Sequence, residues 1–262
     1  MTQFSDGIRI GTAGTQQGTG TIRNSPHKLT NIGSTSSPIY VNAGGYTGIE
    51  NGVPLLADGA LVVAPVTSYT NNLAAAQTVS AGGFFTLQAT TGITSATVNG
   101  VPVFALDTPR TVQFTGASTA TTSSVATVKG YDVYGEAMSQ TAITPVGTAT
   151  TATLKAFAYV SSIVSASTTT SSVSVGVGSA FGLPFAASDF GFVRAAWNQI
   201  YPTVSTGFVP ADLTTPATAA TGDVRGTYTP QTTAPNGAIN LVVEQVLKSN
   251  ASVDLAYGVQ QA

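Results

Sequence analysis

Short segments of alternating or continuous apolar residues, separated by turn residues, run through the middle of the chain. In one of them Val125, Thr127 and Lys129 alternate with their neighbours in the sequence VATVKG, which is the period of a strand with one buried face. Such segments recur at a spacing of roughly 8–12 residues, as in a sandwich or barrel. The predicted strands lie in FFTLQAT, TSATVNGVPVFAL, RTVQFTG, SSVATVKGYDVYG, MSQTAITPVG, TATLKAFAYVSSIVS and SSVSVGVG. The pattern predicts an all-β fold, a β-sandwich or jelly-roll-like domain with a barrel as the alternative, and little helix.

Turn dipeptides punctuate these segments. Asn99-Gly100 predicts a tight hairpin, and Asn236-Gly237 predicts another near the C-terminus. Asn51-Gly52 and Asp58-Gly59 predict two turns in the N-terminal part. Two stretches, YTNNLAAAQTVS and SDFGFVRAAWNQIY, each have room for a short helix, the second capped by Ser188 or Asp189.

The composition changes along the chain and divides it into three parts. Residues 1–60 are rich in Gly, Thr and Ser with scattered apolar residues, which predicts an extended arm that a partner orders. Residues 61–200 form the main β-domain in this interpretation. Residues 201–262 continue the strand pattern and are expected to pack on that domain or to complete it.

Charge is scarce in this chain. Charged residues make up 8% of the 262 residues, against about 25% in ordinary soluble domains. Near-neutral surfaces associate, so we expect copies of the chain, as a trimer or dimer, or other partners to cover the surface. The alternative is a Thr/Ser-rich monomer. The absence of a basic stripe argues against nucleic-acid binding, and the absence of a long apolar run argues against a membrane span.

Most catalytic chemistry lacks its residues here. His27 is the one histidine and there is no cysteine, so a histidine relay would have to use His27 and thiolate metal sites are excluded. The one pair of acids close in sequence is Asp132 and Glu136. The segment GVGSAFG lacks the Gly-Lys-Ser/Thr ending of a phosphate loop. We therefore expect no enzyme, cofactor or metal, with a carboxylate calcium site as the open alternative.

The stretch GYDVYGEAMSQT holds that acidic pair and two tyrosines. Asp132 favours the start of a turn, and Gly135 can adopt a positive φ. We interpret the stretch as a hairpin turn that carries a surface ion pair between Lys129 and Glu136. Tyr131 and Tyr134 would then present their rings on a contact loop.

The same stretch carries a family resemblance. KGYDVYGEAMSQTAIT, followed by LKAFAYVSSI, GSAFGLPF, TGDVRGTYTP, NGAINLVV and AYG, resembles the capsid decoration (cement) and related minor head proteins of tailed bacteriophages. The resemblance covers about half the chain, from about residue 125 to about residue 258. It implies a non-enzymatic, β-rich virion protein that is assembled in the cytoplasm of the host bacterium. Such a protein binds the outer face of the phage head, with the major capsid protein as its partner.

On this hypothesis the functional residues are contact residues, because aromatic residues and arginine are the usual interface anchors. Two alternatives stay open: a tail, neck or head-fibre component of the virion, and a carbohydrate-binding or adhesive β-sandwich. For Trp197 the alternative is packing in the core. The predicted contact residues are Phe4, Ile8, Arg9, Ile10, Arg23, His27 and Lys28 in the arm, and Tyr131, Tyr134, Trp197 and Tyr201 on loops.

Overall fold

A computed structural model of the protein describes the central part of the chain with its side chains and several flanking strands as backbone. Side chains are described for 65–117, 123–184, 207–214, 222–230 and 234–238, except 143, together with 186, 241 and 261. The backbone alone is described for the strands within 29–63, for 192–197 and for 242–247.

The described residues contain seventeen strands and no helix. In chain order the strands are β1 (Leu29–Asn31), β2 (Tyr40–Asn42), β3 (Gly48–Glu50), β4 (Val53–Leu55), β5 (Ala57–Val63), β6 (Ala74–Gln77), β7 (Ile93–Val98), β8 (Val101–Gly116), β9 (Val125–Tyr131), β10 (Ala137–Ile143), β11 (Thr150–Ala152), β12 (Phe157–Ser165), β13 (Val173–Gly182), β14 (Phe192–Trp197), β15 (Phe208–Val209), β16 (Thr227–Tyr228) and β17 (Leu241–Leu247).

Ten of these strands form one main antiparallel sheet. Its order is β10-β9-β12-β8-β13-β16-β15, with β6 on β13 and with β7 and β11 on the long strand β8. The sheet curls into a half-barrel. The all-β prediction is therefore confirmed.

The core lies on the concave side of this sheet, because alternate positions of each strand turn inward. Strand β9 shows the period directly, since Ala126 and Val128 are buried while Val125 and Lys129 are exposed. Phe85 and Phe114 meet edge to face in the same core, with ring centroids 6.1 Å apart, a favoured aromatic geometry.

Five further strands form a second antiparallel sheet in the order β1-β2-β5-β17-β14. Strand β17 near the C-terminus pairs with β5 on one side and with β14 on the other. The predicted division at residue 60 falls inside β5. Strands β3 and β4 form a separate hairpin.

Three predictions of local structure were wrong. The stretch proposed as a first helix holds β6, which pairs with β13. The stretch proposed as a second helix holds β14, which pairs with β17. Most of FFTLQAT is irregular, and only Phe84 forms a bridge, to Val164. In the two helix cases, pairing with a distant strand outweighs a weak local propensity.

The turn predictions had different outcomes. Asn99-Gly100 connects β7 and β8 with φ values of 51° and 80°, which is the tight hairpin expected of this dipeptide. Strands β3 and β4 pair with Glu50 opposite Val53, while the predicted turn at Asn51-Gly52 itself lies outside the described residues. The Asp58-Gly59 prediction was wrong because both residues lie inside β5. Gly237 has a φ of 80°, but no hairpin forms across it because the next strand pairs with β5 and β14.

Candidate contact site at the β9–β10 hairpin

The connection between β9 and β10 is a short, fully hydrogen-bonded turn. The amide of Asp132 donates to the carbonyl of Glu136 over 2.9 Å, and the amide of Gly135 donates to the carbonyl of Asp132 over 3.1 Å. Gly135 has a φ of 83°, a conformation that glycine adopts without steric cost. The sequence predicted a hairpin turn here with a positive φ at Gly135, and the structure closes that turn with a glycine bulge.

Asp132 organises the turn from inside. Its Oδ1 atom accepts hydrogen bonds from the amides of Tyr134, over 2.8 Å, and Glu136, over 2.9 Å. Its Oδ2 atom lies 2.9 Å from Nη2 of Arg225, and both side chains are buried. The carboxylate therefore fixes the backbone of the loop and ties it to a distant part of the chain.

Tyr134 is held between the same arginine and a backbone carbonyl. The guanidinium carbon of Arg225 lies 5.4 Å from the centre of the Tyr134 ring, within cation–π range. The hydroxyl of Tyr134 donates to the carbonyl of Pro184 over 2.6 Å. Even so, 38% of the residue remains exposed, so the loop presents a ring whose position is already fixed.

Arg225 is itself anchored by the carboxylate of Asp223. Asp223 accepts from the amide of Arg225 over 2.8 Å and from the amide of Ala156 over 3.0 Å. Its carbonyl accepts from the amide of Gly226 over 3.1 Å. The 223–226 turn is thereby tied to the start of β12, and through Arg225 it supports the hairpin loop.

A second hairpin tip lies against the first. The side-chain amide of Asn99 donates to the carbonyl of Gly135 over 3.0 Å. A Cβ added to Gly135 would lie 3.8 Å from Val98, so the two turns are in ordinary contact. Val101, 38% exposed, lies beside this junction. The β7–β8 turn, the β9–β10 loop and the 223–226 turn thus form one cluster at this end of the sheet.

The convex face of β10, β9 and β12 continues from this cluster. Tyr131 lies opposite Ala137 on β10 and opposite Tyr159 on β12. Lys129 and Ser139 form the pair two positions further along the hairpin. An open groove of about 340 Å³ lies here, lined by Lys129, Gly130, Tyr131, Ala137, Met138, Ser139 and Ser161.

Gly130 is required by the backbone at the floor of this groove. Strand β12 shifts register between Val160 and Ser162, and the shift brings a carbonyl of β12 close to β9. A Cβ added to Gly130 would lie only 1.9 Å from the carbonyl oxygen of Tyr159. A glycine inside a strand often marks such a close approach of two backbones.

The predicted surface ion pair between Lys129 and Glu136 was wrong. Lys129 lies opposite Ser139, while Glu136 belongs to the turn. Within the part of the chain that the structure describes, neither side chain forms an ion pair. The ion pair of this loop is instead Asp132 with Arg225, and it is buried. Sequence reasoning missed Arg225 because the two residues are far apart in sequence.

Burial perturbs one tyrosine on the convex face. Partial burial raises the pKa of Tyr159 above its ordinary value, and the negative charge of Asp132 raises it further. The raised pKa extends the pH range over which this phenol stays protonated and uncharged in the folded protein.

The other predicted contact residues divide by location. Tyr131 and Tyr134 are brought to this site, with Tyr131 half-buried in the groove wall. Trp197 ends strand β14, whose backbone alone is described. Tyr201 and the arm residues Phe4, Ile8, Arg9, Ile10, Arg23, His27 and Lys28 lie outside the described residues.

The described residues contain neither a metal-binding cluster nor a membrane-spanning helix. No group of three or more histidine and acidic side chains is placed there to hold a metal ion. The same residues contain no helix of the length and hydrophobicity that a membrane crossing needs.

Comparison of the chain with protein-family models, with curated proteins and with solved structures finds no significant match.

Proposed function

We propose that the chain is a non-enzymatic structural protein of a bacteriophage virion, a decoration protein that binds the outer face of the head. In this proposal it bridges neighbouring subunits of the major capsid protein and stabilises the mature shell. The sequence resemblance suggests the family, and the distribution of charge in the fold is the observation that carries the proposal.

Most charged side chains of the described region lie inside the fold and form hydrogen bonds or ion pairs there. Only Lys129 and Glu136 are exposed among the charged side chains that the structure describes. Others are buried in specific bonds, as with Arg225 and Asp132 or Arg110 and Asp107. In the described region the other exposed side chains are mostly Thr, Ser and Ala, with a few apolar residues. A surface with so little charge favours association with partners over dispersal in water.

The contact loop adds specificity to that neutral surface. Tyr134 is exposed, yet its ring and hydroxyl are already fixed by Arg225 and Pro184. A side chain that is fixed before binding loses little conformational entropy on binding. Exposed apolar side chains occur at other points of the described surface as well, with Phe84 66% and Leu154 53% exposed.

Asp132 and Glu136, the acids closest in sequence, do not form a catalytic pair in this arrangement. Asp132 is buried and accepts from two amides and Arg225. Glu136 is exposed. The geometry therefore supports a binding role for this hairpin.

The mechanism of stabilisation is mass action. A protein that binds the assembled lattice but not the separated subunits stabilises the lattice by its binding free energy. Many copies on one shell, each bound to more than one subunit, multiply the effect. No chemical step is needed.

Reconstitution tests this proposal. The purified protein is added to expanded heads that lack it, taken from the phage that encodes the chain, and heat-induced opening of the heads is followed. We expect bound protein to raise the temperature of opening. Heads that neither bind the protein nor gain stability would contradict the proposal.

Truncation tests the predicted role of the arm in the same assay. A variant without residues 1–28 retains every strand that the structure describes. We expect it to keep a folded β-domain, seen by circular dichroism, and to bind heads more weakly. Unchanged binding would show that the arm residues are not contacts.

A further inference from the structure

The two exposed charges of the described region lie on one hairpin and have opposite signs. Lys129 is on β9, and Glu136 immediately precedes β10. Ser139, the partner of Lys129 across the hairpin, is three residues beyond Glu136. At about 3.3 Å per residue along a strand, the two charges are separated by roughly 10 Å.

Lys129 and Glu136 have different surroundings. Lys129 lines the open groove together with Tyr131, Ser139 and Ser161. Glu136 is exposed in the turn and is not part of the groove lining, and it lies two residues after Tyr134, which is 38% exposed. Among the described residues neither charge has an ionic partner. The same hairpin thus carries a cationic groove and an anionic tip.

At the edge of β10 beside the groove, the outward carbonyl of Ser139 is already bonded within the chain. Asp132 and Glu136 form a hydrogen-bonded pair of the hairpin, and these pairs alternate along an antiparallel ladder, so the carbonyl of Ser139 points away from β9. The buried Lys155 donates from Nζ to this carbonyl over 3.1 Å, and its amide donates to Oε1 of Gln140 over 2.7 Å. A lysine at this position blocks the edge in the way that natural sheets avoid edge-to-edge association. The convex face remains as the open surface.

We propose that this face binds a second copy of the chain. The hairpin tip of the second copy lies over the groove, with its Glu136 beside Lys129, and the first copy does the same in return. A two-fold interface pairs residue i with residue j and residue j with residue i, so one arrangement satisfies all four charges. Tyr131 lies between the two charges and is the aromatic anchor of the interface.

This self-association goes beyond the proposed attachment to a capsid. It can be tested in solution in the absence of any capsid. Binding to heads and association between free copies are separate measurements. A protein that fails one can still pass the other, so the two proposals are distinguishable.

A charge-swap series measured by sedimentation equilibrium tests it. The series comprises the full-length wild type, Lys129→Glu, Glu136→Lys, the double variant with both changes, and an equimolar mixture of the two single variants. Ala75→Glu, an exposed position on β6, is the control for adding charge elsewhere. Circular dichroism and melting confirm that each variant is folded, as expected for exposed positions.

The wild type is expected to be a reversible dimer that weakens as salt is added, since salt screens exposed pairs. Each single reversal replaces two attractions by two repulsions and should raise the dissociation constant roughly tenfold or more. The double variant should recover the wild-type value. The equimolar mixture should form heterodimers, because a Lys129→Glu chain and a Glu136→Lys chain again match at both contacts.

Three outcomes would overturn the proposal. One is a wild type that stays monomeric at the highest concentrations measured. Another is a dimer whose dissociation constant is the same in both single variants as in the wild type. The third is a double variant that associates no better than the single ones, because the charges then act without facing each other.

Discussion

Two buried arginine–aspartate pairs stabilise different parts of this protein. Arg110 bonds Asp107 over 3.1 Å on the long strand β8, and its guanidinium carbon lies 4.8 Å from the centre of the buried Phe181 ring. Arg225 bonds Asp132 over 2.9 Å, and its guanidinium lies over Tyr134, which is partly exposed. The chemistry is the same in both pairs, but the aromatic partner is inside in one and at the surface in the other.

The rest of each network shows the same difference. Arg110 also donates to the carbonyls of Gly178, over 2.8 Å, and Val66, over 3.1 Å. Burial lowers the pKa of Arg110 while the neighbouring Asp107 raises it, and an arginine remains charged under these conditions. This pair joins core strands to the segment before β6. The Arg225 pair instead supports a turn, so its loss should affect the contact loop first.

Removal of Arg110 should have the largest effect. Arg110→Met leaves the Asp107 carboxylate without its cation, and we expect a loss of about 3–5 kcal/mol in the free energy of unfolding. Urea denaturation followed by circular dichroism measures it, and a chain that no longer folds would agree. The control is Ala75→Met, a change at an exposed position on β6 that we expect to cost less than about 0.5 kcal/mol. Equal, small losses in both variants would show that Arg110 does not hold the core.

Replacement of Asp132, which breaks its pair with Arg225, should lower the free energy of unfolding by less than the loss of Arg110. The size of the loss should depend on the replacing residue. Asp132→Ala removes both the charge and the acceptor of two amides, and we expect a loss of about 2–4 kcal/mol. Asp132→Asn keeps an oxygen that can accept from the amides of Tyr134 and Glu136, so it should lose less. The same denaturation assay compares them. If the two variants were equally unstable, the amide bonds would contribute nothing.

Local signals in the sequence predicted the turns of this site but not the pair that supports it. The Asx turn at Asp132, the positive φ of Gly135 and the Asn99-Gly100 hairpin all follow from residues that are adjacent in sequence. Arg225 stands in a turn with no local sequence signal, and contacts with distant residues, the pairing of β13 with β16 and the bond from Ala156 to Asp223, bring that turn to the main sheet. The alternating pattern likewise predicted the strands around 125–131 and 137–143. It failed at β6 and β14, where the partner strand decides the structure.

The hydroxyl of Tyr134 provides a narrower test of the loop. Tyr134→Phe keeps the ring beneath Arg225 and removes the bond to the carbonyl of Pro184, so we expect a loss of about 0.5–1.5 kcal/mol. Thermal and urea unfolding measure it. Because Arg225 still positions the ring, binding to phage heads should change little. A complete loss of binding would show that the hydroxyl itself contacts the partner.

Alkaline pH should weaken the fold through Tyr159. The unfolded chain ionises this phenol near its ordinary pKa of 10.0, whereas the folded chain holds it protonated to higher pH because of burial and Asp132. The unfolded state therefore loses the proton first, and stability falls as pH rises above that value. Urea unfolding of wild type and Tyr159→Phe between neutral and alkaline pH should show a steeper fall in the wild type. Parallel curves would contradict the raised pKa.

Reversal of the exposed Glu136 should have the smallest effect on folding. Its amide takes part in the turn, but its carboxylate has no ionic partner among the described residues. Glu136→Lys should therefore change the free energy of unfolding by less than about 1 kcal/mol. A larger loss in urea denaturation would mean that the carboxylate holds the loop together.

The stoichiometry of the protein in purified virions tests the central claim most directly. Quantitative mass spectrometry gives the number of copies of this chain per copy of the major capsid protein. The symmetry of the shell sets the copy number of a decoration protein. We therefore predict a ratio near one or a simple fraction such as one third. A ratio of a few per cent would place the protein at the portal, neck or tail, and its absence from the particle would contradict a virion role altogether.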